Sequence, residues 1–137
     1  MKFGVSPFGI YTKGAPADVQ AGVDQLNELF SDPVTWMRAG WVDYLAPQLY
    51  WKEGGPQSFS SLLRWWRNPK VNPRNIPILP GIAVDRLTSH KWPVSEITTQ
   101  LKLEKNITPR SHGGFLLWNI GPLSKNTKGL MAVVRQQ

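Results

Sequence analysis

Four short apolar runs recur at nearly regular spacing along this chain, and they constrain its fold more than any other feature. They begin at residues 2, 42, 78 and 114, so successive starts lie 40, 36 and 36 residues apart. The runs are Lys2–Phe8, Val42–Tyr50, Ile78–Val84 and Gly114–Trp118. None alternates cleanly between polar and apolar residues, which is typical of parallel strands buried on both faces. The spacing predicts strands joined by crossover helices.

The segments between the runs carry helix signals. Asp32 and Pro33 are typical of a helix start and Gly40 of a helix stop, which predicts a short helix over residues 34–39. Ser58 is the expected N-cap of a second helix. Apolar residues spaced three and four apart indicate this second helix and two later ones. The apolar residues of the three helices are, in turn, Phe59, Leu62, Leu63 and Trp66; Val94, Ile97 and Leu101; and Leu130, Val133 and Val134.

Two architectures fit four strand–helix units, a small doubly wound sheet and part of an eight-stranded barrel. The glycine fingerprint of a dinucleotide-binding sheet is missing after every run. Polar and aromatic residues gather just past the strand ends, where barrel enzymes keep their active sites. A complete barrel has eight strands and about 250 residues. The sequence therefore predicts a single α/β domain over residues 1–137: half of a (β/α)8 TIM-type barrel, with four parallel strands alternating with helices.

Composition argues against several classes of function. The chain has no cysteine, which removes disulfides, thiolate zinc sites and cysteine nucleophiles. Its net charge of +7 comes from scattered lysines and arginines, so a solvated basic surface is favoured over a nucleic-acid-binding one. No apolar run approaches the roughly 18 residues of a membrane span. The N-terminus lacks the apolar stretch of a signal peptide.

Known site motifs are also missing. His90 and His112 have no spacing to each other or to carboxylates that would suit a metal, and the turn before the last run makes His112 a structural residue. There is no P-loop and no G-x-S-x-G elbow. We therefore expect neither a metal nor a cofactor.

The segment Trp41–Trp51, which reads W-V-D-Y-L-A-P-Q-L-Y-W, resembles glycoside-hydrolase-like family 10, barrel proteins placed among the bacterial cell-envelope glycan hydrolases. Further family-like pieces occur in the same order. Lys2–Gly9 is similar to the fifth strand of that barrel, Pro80–Ile82 to the seventh and Gly114–Leu117 to the eighth, while Asp24–Leu29 leads towards the sixth.

This resemblance implies that residues 1–137 correspond to strands five to eight, with the N-terminal half of the barrel absent. It also implies hydrolysis of O-glycosidic bonds in a bacterial glycan such as peptidoglycan, without a cofactor. Full-length members would be located in the cell envelope or secreted. Because half a barrel leaves its outer strands unpaired, a second half-barrel is the expected partner, either another copy or the missing N-terminal half.

Glycoside hydrolysis needs two carboxyl groups beside the scissile bond. The family's fourth strand ends in an Asp-Asp-Tyr-like run, and no Asp-Asp pair occurs in this chain, so the main catalytic carboxylate is expected outside it. Whether the chain is an enzyme by itself is therefore left open. Glu53 and Asp85 follow the second and third runs and are the catalytic candidates. The alternatives are a solvated loop position for Glu53 and an ion pair with Arg86 for Asp85.

The other carboxylates are assigned by position. Asp24 and Glu28 follow the first run, where they either order their loop or contact substrate. Asp32 is the expected N-cap, Asp43 is expected to be structural, and Asp18 and Glu104 are expected to be solvated.

Sugar-binding surfaces combine aromatic faces, which cover the C–H face of a pyranose, with amides and hydroxyls that meet its OH groups. Gln48, Tyr50 and Trp51 fit this description, and the two-residue period places Gln48 and Tyr50 on one face. The alternative is that Tyr50 and Trp51 pack between strand and helix. The remaining substrate-binding candidates at the strand ends are Ser6, Phe8, Trp118 and Asn119, of which the last two depart from the family pattern.

The favoured function is the substrate-binding half of a glycoside hydrolase. One alternative is a non-catalytic carbohydrate-binding or assembly module of the same fold. The other is a basic nucleic-acid-binding α/β domain.

Overall fold

The computed structural model describes residues 1–109 and 113–136, so His112 and its predicted turn lie outside the described residues. The elements, in chain order, are β1 (Gly4–Val5), α1 (Pro33–Ala39), β2 (Tyr44–Leu45), α2 (Phe59–Arg67), β3 (Gly81–Ala83), α3 (Arg86–Ser89), α4 (Val94–Asn106), β4 (Leu116–Trp118), α5 (Ile120–Ser124), a 3-10 turn (Thr127–Gly129) and α6 (Leu130–Arg135).

All strand pairings between these elements are parallel. β1 pairs with β2, and β3 pairs with β4, while single bridges from Leu45 to Ile78 and from Gln48 to Gly81 connect the two pairs. The predicted α/β fold with parallel strands in chain order is confirmed. The ladders are shorter than the apolar runs because Pro47 and Pro80 interrupt them and carry no N–H to donate.

The two faces of the strand layer differ in burial. Leu45, Leu49 and Ile82 are fully buried in the core that they share with the helices. On the opposite face Leu116 and Trp118 are 43% and 55% exposed. All three residues of the neighbouring strand β3 are buried, so the exposure is confined to the outer strand β4.

The helix predictions are confirmed by the element bounds and caps. Asp32 accepts the backbone N–H of Thr35 at 3.0 Å, and Gly40 ends α1 in the left-handed conformation at φ 77°. Ser58 precedes α2 as expected, but its hydroxyl does not cap the helix. The apolar stripe of α2 forms the centre of the core, since Phe59, Leu62, Leu63 and Trp66 are all fully buried.

One carboxylate differs from its prediction in a way that matters for the fold. Glu104 is not solvated: its side chain is 2% exposed and its Oε1 lies 2.9 Å from the guanidinium of Arg67. Arg67 also donates to the backbone oxygens of Glu104 and Ile107, each at 2.8 Å. The contact joins α2 to the carboxyl end of α4. The spacing pattern of α4 could not indicate it, because the partner comes from another helix.

Asp43 is structural, as predicted. Its Oδ2 accepts the backbone N–H of Phe3 at 2.7 Å, which fixes the start of β1 against β2. Among residues 1–109 and 113–136, no helix is long and apolar enough to cross a membrane. The same residues contain no cluster of three or more His, Cys, Asp and Glu side chains suited to a metal.

Candidate functional site

Tyr50, which follows β2 by five residues, meets Trp118, which ends β4. The rings of Tyr50 and Trp118 stack with their centroids 6.5 Å apart and their planes 28° from parallel. Gly81 permits this arrangement, because a Cβ at that position would lie 3.2 Å from the Tyr50 ring. Trp118 is half exposed and Tyr50 is partly buried, so the pair presents an aromatic surface on the open face of the strand layer.

Asp85 lies beside this pair. It directly precedes α3, and its backbone N–H donates to the carbonyl oxygen of Trp118 at 3.1 Å. Its Oδ1 is inaccessible to solvent and accepts no hydrogen bond from the described residues. Burial raises the pKa of Tyr50, and the negative charge of Asp85 raises it further. Of the two predicted catalytic candidates, Asp85 is therefore the one with a carboxylate oxygen that receives no hydrogen bond from the described residues.

The alternative interpretation of Asp85 as an ion pair with Arg86 is wrong. No such pair occurs among the described residues, and the Arg86 guanidinium instead lies 5.6 Å from the ring centroid of Trp92. The reason is geometric: Arg86 begins α3, and its side chain follows that helix towards Trp92, whose N–H donates to the Arg86 carbonyl at 3.0 Å.

Gln48 and Ser6 link the first two strands. The Nε2 of Gln48 donates to the carbonyl oxygen of Ser6 at 3.2 Å, and the Ser6 hydroxyl donates to the carbonyl of Ala46 at 2.8 Å. Gln48 is half-buried at the strand end, two residues before Tyr50. It retains its side-chain carbonyl as an acceptor for a ligand hydroxyl.

Trp51 has different neighbours from Tyr50. Its ring meets Phe8 edge-on, with centroids 5.5 Å apart, and its side chain packs half-buried against the core. Gln100 donates to its carbonyl oxygen at 3.0 Å. The structure thus brings Tyr50 together with Trp118, and Trp51 together with Phe8.

Asp24 orders the loop after β1. Its carboxylate accepts hydrogen bonds from the Thr12 hydroxyl at 2.7 Å, from the Lys13 N–H at 3.2 Å, and from the N–H and amide of Asn27, both at 3.0 Å. Burial alone would raise its pKa, but these hydrogen bonds outweigh burial and hold the pKa well below its usual range. Glu28 pairs with Lys13 at 2.8 Å, and this hydrogen bond lowers its pKa.

Glu53 and Asn119 cap helices. Glu53 accepts the backbone N–H of Ser60 at 2.8 Å and the hydroxyls of Ser60 and Ser58 at 2.7 and 3.0 Å, so it serves the N-terminus of α2 in place of Ser58. Glu53 is therefore not in a solvated loop position, and its carboxylate is engaged in hydrogen bonds rather than free to act as a catalytic acid. Asn119 accepts the N–H of Gly121 at 3.0 Å and caps α5.

Two groups at this end of the strands were not predicted from the sequence. Gln25 is buried and bonds both backbone groups of Phe8, at 2.9 and 3.3 Å, as a neighbouring strand would. Three cations, Lys52, Arg86 and Lys128, converge on Trp92. Lys52 lies in the segment after β2, Arg86 begins α3, and Lys128 lies in the 3-10 turn after α5.

Comparison with known proteins agrees with the resemblance. The sequence profile of the family described as glycosyl hydrolase-like 10 matches residues 1–94, which include β1, β2 and β3. Glycosyl hydrolase YngK of Bacillus subtilis (strain 168) is 29% identical over 139 residues, covering 95% of this chain and 27% of YngK. Glycosyl hydrolase DigH of Escherichia coli (strain K12) is 30% identical over 87 residues, covering 61% of this chain and 20% of DigH.

The chain thus spans about a quarter of the length of YngK and a fifth of that of DigH. The profile match extends over more than half of the chain and includes three of the four strands that carry the site. By this match, the chain belongs to the glycosyl hydrolase-like 10 family.

Proposed function

We propose that this chain forms the glycan-binding part of a glycoside hydrolase barrel. The observation that carries the proposal is the stacked pair of Tyr50 and Trp118, partly open to solvent at the carboxyl ends of β2 and β4. Aromatic faces of this kind cover the C–H surface of a pyranose. Gln48 and Asp85 supply hydrogen-bond acceptors beside them. The family membership supports a bacterial glycan as ligand, with the cell envelope as the place of action.

Hydrolysis of an O-glycosidic bond requires two carboxyl groups. Asp24 and Glu53 are engaged in ordering a loop and capping a helix, which leaves Asp85 as the one candidate carboxylate beside the aromatic pair among the described residues. We place the second carboxyl group on the other half of the barrel. The isolated chain is accordingly expected to bind glycan without cleaving it.

The open strand layer supports pairing with a second half-barrel. Within the described residues β1 pairs only with β2, and β4 only with β3. A groove of about 340 Å³ beside β1 is lined by apolar residues; they are Phe3, Val5, Trp36, Trp41 and Val42. Closing a barrel would pair both outer strands and cover this groove.

The binding proposal is tested by titrating the chain with oligomers of N-acetylglucosamine and recording affinity by calorimetry. Trp118→Ala is expected to weaken binding by about 1–3 kcal/mol, since a desolvated aromatic anchor is lost. Phe30→Ala, which removes an exposed aromatic ring outside the site, is the control and should bind as the original chain does. Equal affinities for all three proteins, or no binding by any, would contradict the proposal.

A non-catalytic carbohydrate-binding module is the second candidate, and the engagement of Asp24 and Glu53 in hydrogen bonds favours it. The two candidates differ when the N-terminal half of a relative is added. Hydrolysis that appears on mixing and disappears with Asp85→Asn supports the enzyme; retained binding with no hydrolysis supports the module.

A further inference from the structure

A second pocket lies between α2 and the loop that follows β1. Its volume is about 300 Å³, and its lining residues are Pro16, Asp18, Ser61, Arg64, Trp65 and Asn68. The last four share one face of α2 and its C-cap, because helical residues three and four apart are neighbours. The volume is at the lower end of the range for ligand pockets, so it suits a small ligand. None of these residues belongs to the proposed glycan site.

Trp65 supplies an aromatic wall that is held in place without a ligand. The Tyr11 ring stacks on it, with centroids 5.6 Å apart and planes 25° from parallel. The fully buried Trp66 meets it nearly at a right angle, with centroids 4.9 Å apart. Pro16 adds a second ring to the lining. Because these rings are already ordered, a ligand that packs on them immobilises few protein side chains.

The pocket contains one side chain of each charge, and the two do not pair with each other. In the described part of the chain, the exposed Arg64 forms no ion pair and donates no side-chain hydrogen bond. The Oδ2 of Asp18 accepts the Ser61 hydroxyl at 2.7 Å, and no described residue donates to its Oδ1. A cationic donor and an anionic acceptor therefore border one small pocket with hydrogen-bonding capacity to spare.

Hydrogen bonds fix the position of Asp18 relative to α2. The N–H of Gln20 donates to the carbonyl oxygen of Pro56 at 3.0 Å, and the amide of Gln57 donates to the carbonyl oxygen of Gln20 at 2.9 Å. These bonds tie the loop to the segment that precedes α2, and the Ser61 hydroxyl ties Asp18 to the helix itself. The two charged groups thus come from elements that are held together.

This combination of groups favours a ligand that carries both charges. A simple anion would be repelled by Asp18, and a simple cation would be repelled by Arg64. A carboxylate pairs well with a guanidinium, and an ammonium group pairs with a carboxylate. An apolar group joined to both would cover the Trp65 ring. A free α-amino acid carries these three groups on one carbon atom.

We propose that this pocket binds a free α-amino acid with an apolar or aromatic side chain. Arg64 binds the carboxylate of the ligand, Asp18 binds its ammonium group, and Trp65 covers its side chain. The amide nitrogen of Asn68 is a second donor to the carboxylate, since the Asn68 Oδ1 already accepts the N–H of Lys70 at 2.9 Å. The proposal goes beyond the glycan function and does not depend on it.

The test uses three probes that share a phenyl ring and differ in charge. L-Phenylalanine carries both charges, phenylpropanoate lacks the ammonium group, and phenylethylamine lacks the carboxylate. Their affinities for the chain are measured by saturation-transfer NMR. The variants are Arg64→Gln and Asp18→Asn, both at exposed positions. Lys102→Gln, which removes an exposed charge on α4, is the control.

The original chain is expected to bind phenylalanine about tenfold more tightly than either analogue, a difference of about 1.4 kcal/mol. Arg64→Gln should weaken phenylalanine about tenfold without weakening phenylethylamine, which has no carboxylate to lose. Asp18→Asn should weaken phenylalanine similarly without weakening phenylpropanoate. Arg64→Lys keeps the charge but not the planar fork, so it should retain part of the affinity. Lys102→Gln should bind as the original chain does.

Equal affinities of the original chain for the three probes, or no binding of any, overturn the inference. Tighter binding of phenylpropanoate than of phenylalanine would make the pocket an anion site and also overturn it. Unchanged phenylalanine affinity in both variants would place the ligand elsewhere on the molecule, with the same consequence. Thermal melting distinguishes lost binding from lost folding, and the probe series on the original chain decides if a variant does not fold. Since no glycan enters the test, the proposed function stands or falls separately.

Discussion

At the scale of single residues, Asp24 shows how a carboxylate can be held ionised by its surroundings. Four hydrogen bonds from Thr12, Lys13 and Asn27 favour its charged form and lower its pKa despite burial. A carboxyl group whose pKa is lowered on folding adds stability above its unfolded pKa of about 3.9, and this contribution is lost as the pH falls below that value.

Asp24→Asn is therefore expected to lower the melting temperature at pH 7 and to flatten its decline between about pH 4 and pH 2.5. Asparagine would also direct an N–H₂ group at donors that need an acceptor. Circular dichroism melts across this range provide the measurement. Asp18→Asn, which removes an exposed carboxylate that accepts one hydrogen bond from Ser61, is the control. Parallel pH profiles for all three proteins would contradict the assignment.

At the scale of elements, the N-terminus of α2 is capped by Glu53, which lies five residues before Ser58. Glu53 accepts the free N–H of Ser60, and a negative charge at a helix N-terminus also interacts favourably with the helix dipole. Glu53→Ala is expected to lower the free energy of unfolding by about 1–2 kcal/mol, measured by urea denaturation. Ser58→Ala should have a smaller effect, because the Glu53–Ser60 contact persists. A larger loss in Ser58→Ala than in Glu53→Ala would assign the cap to Ser58.

The buried pair of Arg67 and Glu104 joins α2 and α4. Glu104→Gln would leave the Arg67 guanidinium as an uncompensated buried charge, and we expect this to lower the free energy of unfolding by about 3–5 kcal/mol. Urea denaturation measures the loss. The exposed pair of Lys13 and Glu28 is the matched control, and Lys13→Gln should change stability little because solvent screens exposed pairs. Similar small losses in both variants would show that α2 and α4 do not need the pair.

At the scale of the whole molecule, the strand layer leaves apolar surface open at both ends. Phe3 and Trp41 are 61% and 65% exposed near β1, and Leu116 and Trp118 are exposed on β4. Soluble monomers rarely expose such surface next to unpaired strand edges. We expect the isolated chain to sediment with a mass above its 15.5 kDa monomer.

Trp41→Glu should shift that mass towards the monomer by placing a charge in the apolar groove, whereas Phe30→Glu, outside the groove, should not. Adding the N-terminal half of a relative should compete with self-association. A monomeric chain that unfolds sharply and cooperatively would contradict the pairing with a second half-barrel.

The sequence by itself determined the order and type of the main elements. The spacing of the apolar runs predicted parallel strands joined by helices, and Asp32 and Gly40 marked both ends of α1. These features depend on neighbouring residues and on periodicity, so they can be read from local sequence. Asp85, Tyr50 and Trp118 were also predicted as candidates, because barrel sites gather at strand ends.

Only the tertiary structure decided which of these side chains meet. Tyr50 stacks with Trp118, and its ring packs so closely on Gly81 that a Cβ there would lie 3.2 Å from it. Glu104 is buried where an arginine from α2 lies opposite it, and the cations around Trp92 come from the segment after β2, from α3 and from the 3-10 turn. Each of these contacts joins residues far apart in the chain. Their formation depends on how the helices and strands pack together, which no local pattern of residues encodes.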